Sequence, residues 1–272
     1  MSLPRELVCP CFWASVLRMF RARRDVSPLV LIMKFLDLSF TAIALLMSGC
    51  SNVPQADNAL SSAEAADGWK LLFDGSSLAG WRGYNGVEID GAWVTVDGVL
   101  HHVSPAEGSA HVNIITEAEY DDFDMRFDWK VEEGTNSGVI FHVGEGPKEP
   151  YLTGPEYQVL DNFGFRSGKG LPVGPTEHSA SHYAIEAAVS DETKPIGEWN
   201  SGQLLVKGDH VEYWLNGVKT AEYEMHSPHW NEQVANSKFK NWEEYATLGK
   251  GHIGLQDHGH RVWFRNLKIK EL

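Results

Sequence analysis

Residues 122–131 read D-F-D-M-R-F-D-W-K-V. Phe123, Met125, Phe127, Trp129 and Val131 alternate with Asp122, Asp124, Arg126, Asp128 and Lys130. Successive side chains leave a strand on opposite faces, so this stretch is a strand with one side in a core and one in water. Working outward, residues 111–116, 138–143, 155–162, 182–189 and 251–256 have strand character. Lys207-Gly208-Asp209 separates 203–206 from 210–215, and Asn216-Gly217 turns that strand back into 218–223. Asp97-Gly98 joins 92–96 to 99–103. Such dipeptides accept the left-handed backbone of tight hairpins. Residues 261–272 make a terminal strand whose apolar set, Val262, Phe264, Leu267 and Ile269, slips in phase and predicts a bulge near Arg265. One helix is expected over 228–240, with Ser227 as its cap and Pro228 in its first position. Short strands at regular spacing with scarce helix predict an all-β fold, a jelly-roll β-sandwich of two antiparallel sheets, over residues 68–272. The long loops 144–154 and 163–181 flank the strand at 155–162, and long loops in compact domains often carry function.

The 272 residues carry a net charge of −14, ten Trp and three Cys. The first fifty hold six of the 23 bases and three of the 37 acids, which leaves 17 against 34, a net of −17. So acidic a body repels phosphate backbones, and nucleic acid is excluded as a partner class. Aromatic richness without basic patches suits sugars, whose C–H faces stack on rings, although most of the rings fill a core. Cys9, Cys11 and Cys50 all precede the body, so neither a disulfide nor a thiolate metal site is expected there.

Met33-Lys34, an apolar run over 35–47 and Ser48-Gly49-Cys50 form a secretory signal over 33–50. L-M-S-G-C at 46–50 resembles a bacterial lipobox, which implies cleavage before Cys50 and lipid on its thiol. The apolar run is short for a bilayer and Asp37 interrupts it. Residues 1–32 stand before a complete signal and are expected to be a mis-called extension. Residues 51–67, rich in Ala, Ser, Asn and Asp, are expected to be a flexible linker. The expected location is the periplasm, with membrane contact only through a lipid anchor in the outer membrane.

Residues 155–162 read P-E-Y-Q-V-L-D-N. Period two puts Glu156 and Gln158 on one face and Tyr157 and Val159 on the other, with Asp161 and Asn162 at the end. A solvated sheet face closed by an Asx turn would explain these polar groups. A concave sugar site, where one carboxylate moves a proton, explains them better. Asn136 and His142 would share that face if their strand lies alongside. Gln256, Asp257, His258 and His260 form a second polar cluster, in a turn. Asp257, His258 and His260 could hold a metal, but their spacing matches no fixed motif. Nucleophile-elbow, zincin, phosphate-loop and dinucleotide motifs do not occur.

Several runs together resemble the 3-keto-disaccharide hydrolase family. They are L-F-D-G-S-S-L-A-G-W (72–81), W-V-T-V-D-G-V-L (93–100), N-S-G-V-I-F-H-V (136–143), P-E-Y-Q-V-L-D-N, G-E-W-N (197–200), L-N-G (215–217), G-L-Q-D-H-G-H (254–260) and V-W-F-R-N-L-K-I-K-E-L (262–272). The resemblance implies a concanavalin-like jelly roll that cleaves glycosidic bonds of sugars carrying a ketone at C3, with related lyase and hydratase steps. Many members carry Arg where this chain has His142. A C3 ketone acidifies the C2 proton, so a base can form an enolate, the aglycone leaves C1, and water adds back. Glu156 is the expected base or acid, with His142 or His258 as proton-transfer partner. Asn136, Gln158, Asp161 and Gln256 are expected to hold hydroxyls. A divalent ion could polarise the ketone; no redox cofactor is needed. Two other readings compete. An ordinary glycoside hydrolase needs two carboxylates, and Gln158 stands where a same-face partner of Glu156 would belong. A non-catalytic carbohydrate-binding lipoprotein would use the same fold.

Overall fold

The computed structural model describes residues 55–89, 91–103 and 111–272. The lipobox, Cys50 and the signal lie outside the described residues. Among the described residues thirteen strands form two antiparallel sheets. The strands are β1 (Lys70–Leu71), β2 (Trp81–Gly83), β3 (Trp93–Val96), β4 (Val99–His102), β5 (Ile114–Tyr120), β6 (Phe123–Val131), β7 (Asn136–Val143), β8 (Glu156–Leu160), β9 (Asn200–Lys207), β10 (His210–Leu215), β11 (Val218–Glu224), β12 (Gly251–Leu255) and β13 (Val262–Glu271). The larger sheet runs β11-β10-β9-β6-β13-β4-β3, with β1 beside β13; the smaller runs β2-β5-β12-β7-β8. This is the jelly-roll sandwich expected.

The apolar side of β6 meets the smaller sheet across the core. Phe127 stands edge-on to Tyr157 at 5.2 Å, and Phe123 edge-on to Phe141 at 6.4 Å. Tyr157, buried with its hydroxyl on the Trp214 carbonyl at 3.0 Å, anchors β8. Each such ring contributes about 1.5–3 kcal/mol by leaving water. The smaller sheet is covered on its other side too. Ile115 and Ile140 pack there with Tyr84, and Tyr151 lies against them. A sheet buried on both faces can hold polar groups only where they meet a ligand or each other.

Local signals placed the turns. Asp97-Gly98 and Asn216-Gly217 all take positive φ, as their hairpins require. The β13 bulge falls between Arg265 and Lys268, with Asn266 at φ 55°. Three expectations need correction. Residues 182–189 form only isolated bridges, His182 to Tyr157 and to Glu186, because Ala184 turns left-handed at φ 57°. The helix over 228–240 ends at Ala235; Ser237 then caps a separate 3₁₀ turn, Lys238–Asn241. From residue 55 onward the expected linker is ordered. A capped helix, Ser62–Ala66, sits in it, and Asn58 and Asn266 exchange two side-chain to backbone hydrogen bonds of 2.6 and 2.8 Å. Asp57 pairs with Arg265, and Glu64 with Lys268.

Candidate active site

On the covered side of the smaller sheet lies a cavity of about 280 Å³. Its floor is Asn136 on β7, Glu156 and Gln158 on β8, and Gln256 just past β12. Register brings them together: Gly138 pairs with Gln158, Ile140 with Glu156, and the Gln256 N–H donates to the Gly138 carbonyl at 3.0 Å. Tyr151, Tyr183, Lys238, Trp242 and His258 form the walls.

Glu156 is 4 % exposed, and its Oε1 has no hydrogen-bond partner among the described residues. The carboxyl lies over Gly138, where a Cβ would come within 2.0 Å of that oxygen. Only a residue without a side chain leaves it room. Burial pushes the Glu156 carboxyl up to about 8, and the Lys238 charge offsets this in part. Asn136 Oδ1 and Gln256 Oε1 are likewise buried without partners. Three unpaired acceptor oxygens in one small cavity are costly unless a ligand brings hydroxyl donors.

Lys238 reaches the wall from the 3₁₀ turn and lies over the Tyr183 ring at 3.9 Å. Crowding by protein lowers its ammonium below the usual lysine range, with Glu156 opposing the shift. Crowding, and then neighbouring His260, also lowers His258. Both residues are exposed at the rim, so water screens part of the effect. His258 packs edge-on against Phe165 at 5.8 Å.

Of the residues expected at the site, Glu156, His258, Asn136, Gln158 and Gln256 converge here, and His142 and Asp161 do not. His142 takes φ +50°, which breaks the alternation that would have aimed it into the cavity. Its ring points toward Phe123 instead, and its Nε2 bonds the Asp121 carbonyl at 2.9 Å. Asp161 is a turn residue that accepts from the N–H groups of Gly134, Phe163 and Gly164. Asp257 is also engaged, by the N–H groups of Val112 and Gly259 and by His102 and His111 at 3.1 and 3.2 Å. Those donors hold its carboxyl well below the usual range despite burial. With both oxygens occupied, Asp257 does not form a metal set with His258 and His260. Among the described residues, the three-ligand grouping His210, Glu212 and Glu222 lies on the other sheet, where Lys219 already bonds both acids. The sequence reading missed Lys238, Tyr183, Tyr151 and Trp242, because no periodic signal marks them.

A family profile described as a 3-keto-alpha-glucoside-1,2-lyase-like domain matches residues 68–270. A 3-keto-disaccharide hydrolase from Bacteroides thetaiotaomicron is 33 % identical over 231 residues, covering 76 % of this chain and 79 % of that protein. Two crystal structures from Parabacteroides distasonis ATCC 8503, both provisionally named glycosyl hydrolases, share the fold. One is 35 % identical with TM-score 0.74, covering 80 % of this chain and all of the other. The second is 29 % identical with TM-score 0.58, covering 75 % and 99 %. On the matched profile and the identity to a curated relative, the chain belongs to the 3-keto-disaccharide hydrolase, or 3-keto-alpha-glucoside-1,2-lyase-like, family.

Proposed function

We propose that this protein cleaves the glycosidic bond of 3-keto-glycosides by elimination at C1–C2 followed by addition of water. The observation that carries the reading is the convergence of three unpaired buried oxygens, Asn136 Oδ1, Glu156 Oε1 and Gln256 Oε1, beside a cation. The amide oxygens accept from sugar hydroxyls. Glu156, when ionised, is a far stronger base than an ordinary carboxylate and takes the C2 proton. The electron pair moves into the C3 carbonyl, and the Lys238 ammonium steadies the resulting enolate oxygen. Collapse of the enolate breaks the C1–O bond; the neutral His258 ring gives its N–H proton to the departing oxygen and regains one from the protonated Glu156, which is thereby ionised again. Water then adds across C1–C2 and gives net hydrolysis.

Direct hydrolysis is less well served, because Glu156 is the one carboxylate among the residues lining the cavity. The test compares substrates. Purified protein should release aglycone from a 3-keto-glucoside and leave the parent glucoside intact. Rapid cleavage of the parent glucoside would reject the reading. Sugar binding that survives Glu156→Gln, with no turnover of either substrate, would favour a binding module. The lipobox further supports an outer-membrane anchor in the periplasm. Cys50→Ser should move the protein from the membrane fraction to the soluble one.

A further inference from the structure

Lys238 steadies the enolate oxygen in the proposed reaction, yet it sits on a short turn at the rim and is exposed. Among the described residues it forms no ion pair; Glu156 and Glu177 reach it through charge alone. A lysine stem carries more rotamer freedom than most side chains, so an unheld ammonium there would spend its time in water. Three aromatic rings surround it instead. The Lys238 nitrogen lies 3.9 Å from the ring centre of Tyr183, 5.1 Å from that of Phe239 and 5.9 Å from that of Trp242.

Phe239 belongs to the same turn and Trp242 closes it, so both travel with the lysine. Tyr183 does not. It comes from the segment beside β8, where His182 bridges to Tyr157 and the Tyr183 N–H donates to the Glu156 carbonyl at 3.4 Å. The ring nearest the ammonium is therefore tied to the backbone of the residue that carries the base, and it lines the same cavity.

We propose that Tyr183 is a positioning residue whose ring is the seat of Lys238, holding the ammonium at the cavity by a cation–π contact. The inference rests on the reaction proposed above and adds a residue to it. A ring attracts the cation through its quadrupole and brings no net negative charge. A carboxylate in the same place would neutralise the ammonium before the enolate formed; the ring leaves that charge free for the enolate oxygen.

Tyr183→Leu removes the ring and Tyr183→Phe keeps it. On a 3-keto-glucoside, Tyr183→Leu should lower kcat by about three- to thirtyfold with KM nearly unchanged, and Tyr183→Phe should stay within about twofold of wild type. A wall residue that merely touched the sugar would raise KM instead. In a Lys238→Met background, Tyr183→Leu should cost nothing further, because the seat is then empty. A full additional loss there, or an equal loss in Tyr183→Phe, would overturn the proposal. A second arm needs no turnover. In protein carrying isotope-labelled lysine, the Lys238 side-chain NMR signals, assigned by their absence from Lys238→Met, should be displaced upfield by ring current, and Tyr183→Leu should return them most of the way. Wild-type Lys238 signals at the ordinary position of a solvated lysine would refute the seat, whether or not Tyr183→Leu folds. Full activity of Lys238→Met is a separate result. It would remove the lysine from the reaction, and the ring-current arm keeps that failure apart from failure of the seat.

Discussion

Glu156→Gln should stabilise the protein while disabling it, by an amount that grows with pH. Burial raises this carboxyl from 4.5 to about 8, so the folded state binds its proton more tightly than the unfolded chain does. The sign follows: the protonated side chain is tolerated fully below pH 4.5, and stability is lost as pH rises toward 8. At about 1.36 kcal/mol per pH unit, the loss is about 3 kcal/mol at pH 7 and on the order of 5 kcal/mol above pH 8. Glutamine keeps the shape and cannot ionise, so it escapes that loss. For a domain of this size, 3 kcal/mol corresponds to a Tm difference of about 6–12 °C. Differential scanning calorimetry of both proteins between pH 5 and 9 reads it. The curves should nearly coincide at pH 5 and part steadily up to pH 8. A Tm difference independent of pH, or a wild-type protein that gains on the variant as pH rises, would refute the reasoning. In the proposed mechanism the same ionisation makes the base, so wild-type kcat/KM should climb about tenfold per pH unit below 8, and the variant should lose about 10²–10⁴-fold in rate.

Lys238→Met should lower kcat by about 10²-fold with little change in Tm, and Lys238→Arg should recover part of it if charge at the enolate is what matters; steady-state kinetics with a 3-keto-glucoside measures both. His142→Ala should do the reverse: it loses a buried ring and a hydrogen bond, costs about 1–3 kcal/mol in thermal or urea unfolding, and leaves kcat near wild type. Gly138→Ala drives a methyl group into Glu156 Oε1 and should cost rate far more than stability, with circular dichroism showing the fold intact.

The sheets were legible because alternation and Asp-Gly or Asn-Gly turns are local. β6 and the hairpins needed no distant information, and the phase slip in the last strand located its bulge. Glu156 and Gln158 were legible for the same reason: period two fixes their shared face. That rule also misled. It put His142 on the face of Gly138 and Ile140, and a single left-handed residue undid it. Asp161 looked like a ligand-binding group because the strand's end could not be told from its turn. Lys238 had no local signature. It enters the cavity from a 3₁₀ turn that Ser237 caps, where periodicity alone would have continued the helix that ends at Ala235, on the long excursion between β11 and β12.

The Asn58–Asn266 exchange fastens the start of the described chain to the strand that runs between β6 and β4 in the larger sheet. A pull applied at residue 55 is therefore resisted first by that stitch and by β13, in shear against its neighbours. The sheet that carries Glu156 lies off this line of force. Load entering the described chain at residue 55 would pass into the larger sheet through this stitch and leave the cavity around Glu156 undisturbed.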